Sequence, residues 1–154
     1  MRSFLALTLV LTLGFSSVAL AVGGDKAQYI GGTISAIKDK SEGTLATKSD
    51  TEIVFTAKGG TVTIPYASVE SLEYGQKAGR RIGVAIMVSP LALFSKKRNH
   101  FLTISYKDAA GKDQSGVFEL GKDIVRTTLT ILQTRTGKEI EYQDEEARKS
   151  GLGN

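Results

Sequence analysis

The sequence predicts a mainly β domain: about seven strands bent into a small sandwich or barrel, capped by one C-terminal α-helix. Three observations predict it. From Tyr29 to Leu120, apolar and polar side chains alternate with period two in short runs. Clusters rich in Gly, Asp and Ser ("KDKSEG", "SD", "KGG", "DAAGKD") separate those runs, as turns do. One later segment, Asp123 to Thr136, is too long for an ordinary strand and carries a helical stripe.

The elements follow in order. Gly23 to Gln28 is a short polar lead-in. Tyr29 to Ile37 ("YIGGTISAI") is a first strand with Ile30, Ile34 and Ile37 facing inward; its paired glycines invite a bend or bulge. Thr44 to Lys48 is a second, short strand, and Ile53 to Ala57 ("IVFTA") a third. Lys58-Gly59-Gly60 is a tight hairpin turn, because glycine reaches positive φ without steric cost. Thr61 to Ile64 returns, and Pro65, which has no ladder donor, marks a strand end. Val69 to Tyr74 is the fifth strand, His100 to Lys107 ("HFLTISYK") the sixth and Ser115 to Leu120 the seventh.

In the helical segment Ile124, Val125, Thr128, Leu129, Ile131 and Leu132 share one stripe. Asp123 is the expected N-cap and Gly137 the residue that ends the helix. Five threonines weaken the helix by a few tenths of a kcal/mol each. "KEIEYQ" suits a short extra strand. The last residues, 143–154, read as a charged, glycine-rich, fraying tail. A late helix can cover apolar side chains that a curled sheet leaves open at one end.

The first 21 residues stand apart. Met1-Arg2-Ser3 carries one cation, Phe4 to Val18 is apolar, and Ala19-Leu20-Ala21 has the small-x-small form of a cleavage site. This order is that of a secretory signal peptide cut after Ala21, which implies a periplasmic or secreted protein. The alternative is an uncleaved anchor, for which the run is only marginally long. Removing 21 of the 154 residues leaves 133, enough for one domain with one core. Removing Arg2 from the 20 basic residues leaves 19 against 16 acids, a net charge of +3. So mild an excess does not call for a nucleic-acid partner. No cysteine is present, which excludes disulfides and thiol chemistry, so stability rests on burial.

Two stretches carry a resemblance: "GTLATKSDTEIVFTAKGGTVTIPYASVESLEYG" and "KKRNHFLTISYKDAAGKDQSGVFELGKDIVRTTLTILQTRTG". Over Tyr29 to Tyr142 the chain resembles bacterial pleckstrin-homology-like (GRAM-like) domains. The resemblance implies a two-sheet, seven-strand barrel with a closing helix, used for binding or scaffolding and rarely for catalysis. Two departures matter. A signal peptide does not fit cytoplasmic inositol-lipid recognition. The first hairpin, "KDKSEG", is mixed in charge where headgroup-binding members are basic.

The basic charge sits elsewhere. From Gly75 to Tyr106 there is no Asp or Glu, yet Lys77, Arg80, Arg81, Lys96, Lys97 and Arg98 all fall there. Between them lies Ile82 to Phe94 ("IGVAIMVSPLALF"), uncharged and too short to span a membrane. One reading packs this run across the barrel, with the cations as its solvated flanks; in the other the run is exposed and the cations meet an anionic membrane or partner. In the other reading Met87, Leu91, Leu93 and Phe94 touch an anionic membrane or a protein. Each cation near an anionic surface contributes about 1 kcal/mol, so six supply about 6 of the roughly 8 kcal/mol of micromolar-grade binding.

Catalytic and metal chemistry find little support. His100 is the only histidine, and metal sites need several convergent ligands. A triad of His100 with Ser89, Ser95 or Ser105 is formally possible, but no Gly-x-Ser-x-Gly elbow is present. His100 reads as the first residue of a strand. Glu139, Glu141 and Asp144 to Glu146 read as solvated acids. "GGTISA" lacks the Gly-Lys-Ser/Thr ending of a phosphate loop. The expectation is therefore a binding module without catalytic residues, metal or cofactor.

Overall fold

The computed structural model describes residues 25–76 and 99–153. The expected signal segment lies outside them. Among the described residues there are eight strands: β1 (Asp25–Gly32), β2 (Ser41–Ala46), β3 (Glu52–Ala57), β4 (Gly60–Pro65), β5 (Val69–Gly75), β6 (His100–Lys107), β7 (Asp113–Leu120) and β8 (Ile140–Tyr142). The described residues also form the α-helices α1 (Val125–Thr136), after β7, and α2 (Glu145–Leu152), after β8.

The strands form one continuous curled sheet in the order β4-β3-β2-β1-β7-β6-β5-β8. The mainly β class thus holds, with eight strands rather than seven and one sheet rather than two. The sheet is continuous because β1 pairs on both sides, with β2 and with β7. All pairs are antiparallel except β5–β8, which is parallel and covers the edge of β5.

Alternation sorts the side chains as the sequence suggests. Tyr29, Leu45, Ile53, Phe55, Ile64, Leu72, Tyr74, Leu102, Ile104 and Phe118 point inward and are almost wholly buried. The rings of Tyr29, Phe55 and Phe118 pack with centroids 5.2–6.4 Å apart. Val125, Leu129 and Leu132 of α1 close this core from one end. Burial pushes the Tyr29 hydroxyl up to about 12.

The first strand differs from expectation. It begins at Asp25, because the polar lead-in pairs with β2, and it stops at Gly32. A bulge between Tyr29 and Gly31 shifts the register on β7. Gly32 then takes φ +151°, and a Cβ there would lie 2.2 Å from the Ser115 carbonyl oxygen. Ile34 and Ile37 are buried in the core as expected, but from a loop. Ile30 is buried without belonging to that core.

Helix α1 lacks the Asp123 cap. A 3-10 turn over Lys122–Ile124 leads in, and Ile124 occupies the cap position with no side-chain bond. Gly137 does end the helix, at φ +67°, donating its N–H to Gln133 O at 3.1 Å. Thr134 and Thr136 return their hydroxyls to the carbonyls of Thr130 and Leu132, at 2.8 and 2.7 Å. That local bonding satisfies hydroxyls that would otherwise compete with the helix. Arg135 fastens the helix end: it donates to Thr47 O, pairs with Asp50 and lies over the Tyr66 ring.

The tail is the largest correction. Residues expected to fray form α2, capped by the Asp144 carboxylate accepting from Ala147 N at 2.7 Å. Ala147 is fully buried, and Gly151 fits where a Cβ would meet Tyr142, Leu129 and Tyr74. The acids that looked like a solvated tail are the first turn of a helix, where negative charge suits the N-terminal dipole.

Candidate functional site

The ten contact residues expected from the sequence, namely Lys77, Arg80, Arg81, Met87, Leu91, Leu93, Phe94, Lys96, Lys97 and Arg98, lie outside the described residues. Their anchor points are described. Gly75, near one end of the segment, is the cross-strand partner of Phe101, near the other. The segment therefore leaves and rejoins the sheet at one place, where β5 ends and β6 begins. That strand end is the candidate site, and its two faces differ.

On the core face, β5 and β6 bring Tyr74 and His100 together. The Tyr74 hydroxyl lies 2.6 Å from His100 Nδ1, and the rings stack with an 18° tilt. With neutral imidazole the hydroxyl donates to Nδ1, and the ring proton is on Nε2. Ser150 Oγ of α2 is 3.4 Å from the same hydroxyl, and Tyr142 of β8 packs edge-on to the Tyr74 ring. Burial, with Lys122 nearby, holds His100 below its ordinary value. Burial raises Tyr74, partly offset by the Ser150 hydrogen bond.

This arrangement ties His100 to a buried hydroxyl. Of the serines considered for a triad, Ser89 and Ser95 lie outside the described residues. Ser105 faces the opposite side of the sheet from His100, five residues along β6, and bonds Ser115 Oγ at 3.3 Å. The Tyr74–His100–Ser150 chain joins three elements, and its hydroxyls and ring nitrogen satisfy one another. Sequence reasoning missed it because Tyr74 and Ser150 are 76 residues apart.

On the other face, strand alternation places Phe101 and Thr103 of β6, Val117 of β7 and Ile30 of β1 side by side. Each is buried, Val117 completely, although none of the four belongs to the core cluster. Glu73 of β5 and Glu141 of β8 continue the row through Thr103, and Glu119 of β7 sits opposite Phe101. Burial pushes the Glu119 carboxyl above its ordinary value. Gln143 lies against Gly75 at one end of this face. An apolar centre with acids around it thus backs the Tyr74–His100 pair.

The described residues also line surface depressions. A shallow one of about 630 Å³ crosses β2, β1 and β7 and is lined by Lys26, Gln28, Glu42, Thr44 and Glu119, a mixed-charge set. Two smaller ones, about 270 and 330 Å³, share Tyr106 and Asp108 beside the free edge of β4. Asp108 is already committed there: its carboxylate accepts from Ala110 N, Lys112 N and Gln114 Nε2, each at 2.9 Å. Among the described residues no cluster of three His, Cys, Asp or Glu could hold a metal. No described helix is long and apolar enough to cross a membrane.

No protein-family model matches the chain, and no curated protein matches it.

Proposed function

We propose that the chain is a non-enzymatic, exported binding or scaffold module of pleckstrin-homology-like architecture. Its contact surface for an anionic partner is the segment bearing Lys77, Arg80, Arg81, Lys96, Lys97 and Arg98. The observation that supports this reading is the pairing of Gly75 with Phe101, which brings the described residues on either side of the cationic stretch together at one end of the sheet. Support comes also from the curled, mainly antiparallel sheet whose core includes side chains of the following helix. His100 serves in this reading as the acceptor for a buried tyrosine hydroxyl rather than as a base. Export rests on the charge, apolar run and A-L-A pattern of residues 2–21.

Co-sedimentation with anionic and neutral vesicles, and retention on immobilised polyglutamate, at low and high salt tests it. Binding to the anionic probes that disappears at high salt is expected, because exposed charges are screened. Failure on both anionic probes at low salt overturns the reading. Vesicle binding that survives high salt would replace it with insertion of Met87, Leu91, Leu93 and Phe94 into the membrane.

A further inference from the structure

We infer that the edge of β4, at Thr61 and Thr63, docks an extended peptide that joins the sheet as an antiparallel strand and carries a basic side chain two residues before an apolar one. The backbone register shows what this edge offers. Ala57 and Gly60 pair across a two-residue turn, so they and every second pair beyond them, Phe55–Val62 and Ile53–Ile64, exchange the ladder hydrogen bonds. Thr61 and Thr63 therefore turn their N–H and C=O groups away from β3. Among the described residues no strand pairs on that side, and both threonine side chains are exposed.

The usual protections of a sheet edge are missing. Gly60–Pro65 carries no charge, and no bulge interrupts its pairing with β3. The strand at the opposite edge, β8, is by contrast only three residues long. Pro65 sets the limit of the open edge: it has no N–H, and its carbonyl accepts from Ser68 Oγ at 2.8 Å.

Space and charge select the occupant. The depressions of about 270 and 330 Å³ follow one another along β4, the first at Thr61 and Val62, the second at Thr63 and Pro65. Ser35 and Ala36 stand across the first from β4, and Asp108 and Ala109 across the second. Such a walled trough suits one extended segment better than the edge of another sheet. Side chains on one face of a strand repeat about every 7 Å, so one falls in each depression. Ile34, Ala36 and Val62 make the first apolar. Acids prevail at the second: Glu52 lies opposite Pro65, and Glu70, Asp108 and Asp113 gather around Lys107. Lys107 is held by Glu70 at 3.4 Å and by Asp113, not by Asp108. The hydrogen bond from Gln114, with those from Lys112 N and Ala110 N, holds Asp108 below its ordinary value, so it stays charged. A Lys or Arg side chain complements that end. In an antiparallel strand the basic residue then lies opposite Ile64 and the apolar one opposite Val62. Main-chain pairing supplies affinity, and the alternate side chains supply specificity.

This docking edge uses none of the six cations of the proposed function and does not rest on that reading. Its test is an NMR titration of the mature chain with the blocked peptide Thr-Lys-Thr-Val-Thr. Two control peptides accompany it, one N-methylated at the central Thr and one with Glu in place of Lys. The first peptide should shift the Thr61 and Thr63 amide signals saturably. N-methylation removes the N–H donated to Thr63 O, and Glu meets Asp108, so each control should bind at least about fivefold more weakly. The changes are made in the peptide, so the fold of the protein is not in question. No saturable shift at Thr61 and Thr63, or equal binding of either control, overturns the inference. Concentration-dependent shifts of the same two signals without peptide would assign the edge to a second copy of the chain and overturn it too. Vesicle binding is measured separately, so the docking edge and the functional reading fail independently.

Discussion

Gly32→Ala should be among the most damaging single-methyl changes in the protein. The new Cβ would sit 2.2 Å from Ser115 O and 3.0 Å from Gly116 Cα, both backbone atoms of β7. Ordinary contact begins near 3.4 Å, so the strands must part by about 1 Å. Parting them strains two hydrogen bonds, Thr33 N to Ser115 O at 2.9 Å and Ser115 N to Thr33 Oγ1 at 2.8 Å. Each contributes about 1 kcal/mol. A non-glycine residue held at φ +151° adds about 1–3 kcal/mol. The sum, about 3–5 kcal/mol, is a large share of the roughly 5–15 kcal/mol available to a domain. Gly111→Ala is the control: φ is +76°, but no heavy atom lies within 4 Å of the new methyl. It should cost about 1–2 kcal/mol, the left-handed penalty alone. Urea denaturation of both variants gives the comparison. If Gly32→Ala is no more destabilising than Gly111→Ala, the close approach of β1 to β7 is wrong.

Three further outcomes are expected. His100 has a folded pKa below its ordinary 6.5, so the unfolded chain binds its proton more readily. Stability should be full above that value and decline as pH falls from it through the lowered one; denaturation midpoints of His100→Gln should lack that step. Arg135→Ala should cost about 1–2 kcal/mol, because the Thr47 hydrogen bond and the Tyr66 ring contact are lost while the pair with highly exposed Asp50 contributes little. Its effect in urea should therefore change little between low and high salt. Asp144→Ala should remove about 1 kcal/mol by uncapping α2, read as faster amide exchange at Ala147, whose N–H the carboxylate accepts.

Much of the fold was legible because alternation decides which face a strand buries. Ile53 to Ala57, Thr61 to Ile64, Val69 to Tyr74 and His100 to Lys107 all emerge within a residue or so of expectation. What escaped was set by distant partners. Asp25 to Gln28 looks like a polar leader until β2 pairs with it. Asp123 looks like a cap, but the turn preceding α1 gives that place to Ile124. The Asp144 cap and the αL Gly153 that bracket α2 are visible as residue types. The close seat of Gly151 in that helix depends on Tyr74, some seventy positions earlier. The site divides the same way. The cationic segment shows in the sequence as a gap in acids, whereas the acids and apolar side chains of the outer sheet face are scattered over β1, β5, β6, β7 and β8. Only strand register collects them.

The most direct test of the binding reading changes Lys77, Arg80, Arg81, Lys96, Lys97 and Arg98 together to Gln and titrates both proteins against anionic vesicles at low salt. At about 1 kcal/mol per cation the variant should bind roughly four orders of magnitude more weakly, with its fold unchanged by circular dichroism. Equal affinity of the two proteins would contradict the account.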